Sequence, residues 1–183
     1  GTDGRCVGDR YCFWYKRKGG GSGGGPAASQ DYESSIKPIS SFKTVERFWS
    51  IYNHLQRPEE VPTSTDYHLF KDGIKPAWED GSNARGGQWT LRLKKGLAGR
   101  YWEELLLAVI GEQFDVGNEI CGCVVSVRYN EDIISLWNRN ADNREATERI
   151  RESLRRLLKL PFFIHFEYRR HQARLLRQRL VQN

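Results

Sequence analysis

Two segments near the middle of the chain, 120–128 and 133–139, are rich in aliphatic residues and are separated only by the polar turn Asn130-Glu131-Asp132. This pattern predicts a β-hairpin, which commits the chain to an antiparallel sheet. The parity of the two strands says more. Val125 and Val127 fall on one face, with Ser126 and Arg128 on the other. Across the turn Ile134 and Leu136 share a face, and Ile133, Ser135 and Trp137 share the opposite one. A sheet with one aliphatic side needs helices packed behind it, and its Ser/Arg/Trp side is left for a ligand. Cys121 and Cys123, two apart in the first strand, are expected on one face as small buried groups.

The remaining periodicities agree with an α+β architecture. Three helices are predicted. The first, over 44–55, is capped by Thr44 and carries Val45, Phe48, Trp49, Tyr52 and Leu55 at helical spacing. The second, over 99–111, has Trp102, Leu105, Leu106, Val109 and Ile110 on one stripe. The third, over 143–159, is preceded by an Asp142/Glu145 capping pair and stopped by Pro161. Further strands are expected at 11–15, at 88–94, where Trp89, Leu91 and Leu93 alternate with Gln88, Thr90, Arg92 and Lys94, and at 162–168. Strands and helices do not alternate strictly, which favours an antiparallel sheet with helices on one face.

At 183 residues the chain fits one domain. It is read as an N-terminal segment over 1–9, a domain over 10–171 with a Gly/Ser-rich loop at 19–29, and a basic C-terminal tail over 172–183. The net charge of +6 is concentrated at one end: residues 144–183 hold 11 Lys/Arg against 4 acids, and the rest is close to neutral. A basic end of this kind suggests a phosphate-bearing partner, with a solvated helix face and tail as the alternative. No apolar run is long enough to cross a membrane, and no charged-then-apolar leader opens the chain. The four cysteines form no Cys-x-x-Cys pair, so neither a metal nor a cofactor is expected, and a reduced, cytoplasmic chain is the simpler reading.

Of the six tryptophans, Trp14, Trp89 and Trp102 are assigned to the core. Trp78 differs: it stands between Pro76 and Gly81 and is followed by Glu79 and Asp80. A large ring in a Pro/Gly-bounded loop is poorly placed for a core and well placed to stack on a planar ligand. An enzyme is not expected. There is no glycine-rich phosphate loop, metal cluster or nucleophile–base set, and His54, His68, His165 and His171 are scattered.

Four runs, from Phe42 to His54, Tyr67 to Asp80, Gly86 to Trp89 and Ile120 to Arg128, resemble the translation initiation factor 4E family in family order, over about residues 10–171. The resemblance implies a curved antiparallel sheet backed by three helices on its convex face, with a slot for the 7-methylguanosine cap of mRNA on the concave side. A Tyr at the first stacking position, Tyr32, and the run from Asn130 to Asn138 are similar to the branch of the animal 4E-homologous protein and the plant novel cap-binding protein. Members of that branch often repress translation.

Carried onto this chain, the resemblance implies that Tyr32 and Trp78 sandwich the flat, cationic base. Glu79 accepts its N1–H and N2–H, Trp137 borders the methyl group, and Arg128 holds the triphosphate. Ile133 and Gln88 stand where the family usually has cations, so Arg169, Arg170 and Arg174 are candidates to compensate. On the convex side Val45, Trp49, Glu104 and Leu107 are expected to receive a partner helix with a Tyr-x4-Leu-hydrophobic motif. Arg5-Cys6-Val7 replaces the family's His-Pro-Leu, and Glu103 replaces a hydrophobic residue. The expected function is that of a monomeric cap-binding modulator or repressor of translation. An active initiation factor, or a partner-binding module with a degenerate slot, is the alternative.

Overall fold

The computed structural model describes residues 4–17 and 36–182. Seven strands form one antiparallel sheet in the order β2-β1-β3-β5-β6-β4-β7. They are β1 (Cys6–Arg17), β2 (Ile36–Thr44), β3 (Thr65–Lys71), β4 (Gly87–Lys94), β5 (Ile120–Val127), β6 (Glu131–Asn138) and β7 (Phe166–Arg170). Three helices, α1 (Val45–Tyr52), α2 (Ala98–Ile110) and α3 (Arg144–Leu157), pack their apolar stripes on one face. The core between them joins Phe13, Leu69, Leu91, Val125, Ile134 and Leu136 of the sheet to Phe48, Trp102, Leu105, Leu106, Ile150 and Leu154 of the helices. This is the expected curved sheet with helices on its convex side.

Local chemistry sets the boundaries. Thr44 caps α1 as expected, its Oγ1 accepting from the Arg47 amide at 3.1 Å. Asn143, not Asp142, caps α3: its Oδ1 accepts from the Ala146 amide at 3.1 Å. The helix then ends at Leu157, ahead of Pro161. The hairpin turn is tighter than expected. Glu131 and Asp132 already belong to β6, and Asp132 pairs with Val127.

Three other expectations change. Cys121 and Cys123 lie on opposite faces, because a bulge between Ile120 and Gly122 shifts the β5 register. Cys123 joins the main core, and Cys121 joins a small cluster on the concave side with Phe70, Ile74, Val124 and Trp137. Trp14 is only half-buried, and it too follows the concave parity of β1. The stretch after residue 170 is not a tail but a fourth helix, α4 (His171–Val181), packed against β4 and β7. No helix among the described residues is long and apolar enough to cross a membrane.

Candidate functional site

Strand parity builds the concave face in three rows. Phe70, Gly122, Trp137, Gln88 and Arg169 are successive cross-strand neighbours in the first row. His68, Val124, Ser135, Thr90 and Glu167 form the second, and Lys16, Asp66, Ser126, Ile133 and Arg92 the third. Gly122 is required in the first row: a side chain there would collide with the Phe70 ring and the Leu69 carbonyl. A cavity of about 260 Å³ opens over all three rows.

Trp78 and Glu79 reach that cavity from the β3–β4 loop. The loop is fixed by its own polar side chains. Asp80 accepts from the Lys75 amide at 3.0 Å and from the Ser82 amide at 2.9 Å. Asn83 Nδ2 donates to the carbonyls of Lys75 and Ala77, both at 2.9 Å. The Asp80 carboxylate is thus committed to the backbone, which leaves Glu79 as the exposed acid beside Trp78, with no ion pair among the described residues. Trp78 is half-buried against the concave cluster.

Trp137 is both a packed ring and a wall of the cavity. It is 6% exposed, meets Phe70 edge-on at 5.2 Å and lies 4.5 Å from the His171 ring, and its Nε1–H has no hydrogen-bond partner among the described residues. Arg128 lies at the other end, where its Nη1 donates to Asp66 Oδ1 at 2.7 Å. Arg169 and Arg174 also line the cavity. Arg170 does not. The alternation along β7 turns it away, and its guanidinium bonds Asp142 instead, so its expected role in the site is corrected. Tyr32, the expected second stacking ring, lies outside the described residues.

The C-terminal helix closes one side of the slot. His171, fully buried in its first turn, contacts the Asn83 carbonyl at 2.8 Å through Nδ1 and Gln88 Oε1 at 3.2 Å through Nε2. Arg174, one turn on, donates to the same Gln88 oxygen at 3.3 Å and stands 4.9 Å over the Trp78 ring. Burial lowers the His171 pKa to about 4, and the same cause lowers that of His68, which lines the cavity, to about 4. A neutral His171 carries one ring N–H and so donates to only one of its two oxygen neighbours. Gln88, uncharged at this position, is a buried hydrogen-bonding hub between β4, β6 and α4.

Sequence reasoning missed Lys16, His68, His171 and the hub role of Gln88. The signal for His68 was available: Tyr67 and Leu69 face the core, so Asp66, His68 and Phe70 must face the slot.

On the convex side Val45 and Leu107 line one shallow groove with Cys6, Val7, Gly8 and Ile110. Trp49, on α1, and Glu104, on α2, lie outside that groove. Trp49 is half-buried and packs edge-on against Phe48 at 5.1 Å. Glu104 pairs with Arg100 at 3.4 Å, and its second oxygen is buried without a hydrogen-bond partner.

A family profile described as Eukaryotic initiation factor 4E matches residues 7–182. The chain is 49% identical over 166 residues to the rice (Oryza sativa subsp. japonica) Eukaryotic translation initiation factor NCBP, covering 91% of this chain and 71% of that protein. It is 56% identical over 142 residues to Eukaryotic translation initiation factor 4E-4 of Caenorhabditis elegans, covering 78% of this chain and 67% of that protein. Among solved structures it is similar to C. elegans eIF4E-3 in complex with the 4E-binding protein Mextli and a cap analog, at TM-score 0.86 and 38% identity over 94% of this chain and 95% of that one. A second is Ascaris suum eIF4E-3 with an m2,2,7G cap, at TM-score 0.83 and 38% identity over 91% of each chain.

Proposed function

The chain belongs to the Eukaryotic initiation factor 4E family, and from that premise we propose that its concave slot binds the 7-methylguanosine cap of messenger RNA in translation initiation. One observation carries the proposal. A half-buried tryptophan, an exposed carboxylate next to it in sequence and an arginine on the same sheet face open into one cavity. N7-methylated guanine is a flat cation, and the Trp78 ring attracts such a cation by stacking and by its π-face. Glu79 accepts from the two edge N–H groups, a charge-assisted pair that the methylated base strengthens. Tyr32 is proposed as the opposite ring, and Trp137 as the border of the methyl group. Arg128, with Arg169 and Arg174, neutralises the phosphates. That related structures hold cap ligands supports this reading.

The finer role we propose is that of a monomeric, cytoplasmic modulator that competes for caps. Ile133 and Gln88 at positions where the family usually has cations support a looser phosphate grip. The groove lined by Val45 and Leu107, with Trp49 and Glu104 on the same two helices, is proposed to take a partner helix bearing Tyr-x4-Leu-hydrophobic. The solved relative in complex with Mextli supports a protein partner.

Fluorescence titration tests the slot. 7-Methyl-GTP is expected to bind at least ten-fold more tightly than GTP. Trp78→Ala is expected to lower 7-methyl-GTP affinity by about 1–3 kcal/mol without unfolding the chain, and Glu79→Gln to narrow the gap between the two nucleotides. Equal affinity of the wild-type chain for both nucleotides would overturn the proposal.

A further inference from the structure

We propose that the rim of the slot beyond Arg128 binds the first nucleotides that follow the cap, stacking them on Tyr129 and on the Phe162–Phe163 turn. The inference rests on the cap reading above and extends it from the cap to the body of the RNA.

The direction of the ligand sets the place. Trp78 packs on the small concave cluster that holds Phe70 and Trp137, both of the first row. Arg128 is six residues beyond Gly122 along β5, about 20 Å at about 3.3 Å per strand residue. A base held at the first row, with its phosphates drawn toward Arg128, sends the rest of the RNA over that end of the sheet. Two exposed aromatic features stand there. Tyr129, the residue after Arg128, is 82% exposed in the β5–β6 turn, where the Arg128 amide donates to the Glu131 carbonyl at 3.1 Å. Phe162 and Phe163, 90% and 65% exposed, lie just ahead of β7. Leu91 of β4 pairs with Phe166, so counting back along the chain brings their turn level with Leu93 and Lys94. Lys94 in turn pairs with Glu131, beside the hairpin turn that carries Tyr129. Strands β4 and β6 separate the two features, on the order of 10–15 Å at about 4.8 Å per strand.

The phenylalanines are held out into water by a built turn. The Ile164 amide donates to the Pro161 carbonyl at 3.1 Å and closes it. Arg155 clasps it from α3, donating to the carbonyls of Pro161 and Ile164, both at 3.1 Å. The two rings meet edge to face with centroids 5.8 Å apart, and neither belongs to the core clusters. Two apolar rings kept in water contribute nothing to folding through burial. Fixed in place, they lose little freedom when a flat ligand stacks on them.

Charge decides the kind of contact. Arg92 bonds Glu131, Lys95 bonds Asp132 at 2.7 Å and Arg128 bonds Asp66 at 2.7 Å, while Lys94 is exposed beside them. The rim is close to charge balance with a small positive excess. It admits a phosphodiester backbone without gripping it, so the rings supply the affinity. Every base has a π-face, which makes such a contact tolerant of sequence.

The test measures the affinity of the full chain for GTP, 7-methyl-GTP and a capped six-nucleotide RNA. The wild-type chain is expected to bind the capped RNA about ten-fold more tightly than 7-methyl-GTP, and to keep most of that gain at 300 mM KCl, because stacking is screened far less than phosphate contacts. Tyr129→Ser, and Phe162→Ser combined with Phe163→Ser, are each expected to lose several-fold of the gain, with 7-methyl-GTP binding and Tm unchanged. Tyr129→Phe is expected to retain it. Equal wild-type affinity for the two capped ligands overturns the assignment. So does a gain that survives either variant, or a loss shared equally by 7-methyl-GTP. Phenylalanine variants that keep the RNA gain but lose binding to phosphatidylserine vesicles, or lose self-association, give the turn to a membrane or to a second copy and overturn it as well. A wild-type chain that binds 7-methyl-GTP no better than GTP defeats the cap reading, and that comparison involves no RNA body.

Discussion

Trp89 and Trp137 stand on paired strands, are 7% and 6% exposed, and point to opposite faces of the sheet. Trp89 faces the helices, and its indole N–H donates to the Thr147 carbonyl at 2.9 Å. Trp137 faces the slot, and its N–H has no partner among the described residues. Beyond this pair, buried polar groups without partners occur on both faces. On the slot side His68 Nδ1, Trp14 Nε1 and Asn83 Oδ1 are buried without hydrogen bonds among the described residues. On the helical side Tyr11 donates to the Val109 carbonyl, while the Tyr52 hydroxyl, Thr65 Oγ1 and the second Glu104 oxygen are buried without a hydrogen-bond partner among the described residues. Folding a sheet against helices rewards complete satisfaction of polar groups, since an unmade buried bond costs about 1–3 kcal/mol.

The largest effect that can break this contrast is a core deletion. Trp102→Ala, at a site 2% exposed among the helices, is expected to cost about 3–5 kcal/mol in denaturant unfolding, and Trp78→Ala under about 1 kcal/mol. Comparable losses at both sites would erase the distinction between the faces. Next in size is a pH effect confined to the slot side. His68 and His171 have folded pKa values lowered to about 4, against about 6.5 in the unfolded chain. Between pH 6.5 and 4 the unfolded chain takes up protons that the folded chain refuses. Their contribution is complete above pH 6.5 and falls by roughly 3 kcal/mol for each ring as the pH drops through that window. His68→Gln is expected to flatten the profile, and an unaltered slope would remove His68 from the account. The smallest and sharpest comparison is Trp89→Phe against Trp137→Phe. Both lose ring volume, but only the first loses a hydrogen bond that is made, so it is expected to cost about 0.5–1.5 kcal/mol more. Equal costs would show that the Trp137 N–H is not an idle group.

Much of the molecule was legible because short-range periodicity is a local property. The alternation through β4 and the β5–β6 hairpin assigned Gln88, Thr90, Ser126, Ile133, Ser135 and Trp137 to the slot face, and all six line the cavity. The three convex helices were legible from their apolar stripes. What was hidden depended on single insertions and on long-range partners. The bulge that separates Cys121 from Cys123 shifts the register by one residue without a strong composition cue. The short alternation of β7, which sends Arg169 into the slot and Arg170 to Asp142, becomes readable only once the strand ends are known. The stretch over 172–183 was read as a tail because arginines punctuate it and stand out more than any apolar stripe. His171 becomes buried in α4 by packing on Trp137, Gln88 and Asn83, which come from distant parts of the chain.

Residue order was enough to set the antiparallel sheet, its aliphatic back, the helices behind it and the isolation of Trp78 in a polar loop, since each follows from the spacing of apolar groups along a few residues. Packing chose which polar groups share the cavity. The meeting of Lys16 with Asp66 and Arg128, and the closure of the slot by Arg174 over Trp78, join residues between about 50 and 110 positions apart. Their charges and burial exist only once the strands are in register, which no local pattern specifies.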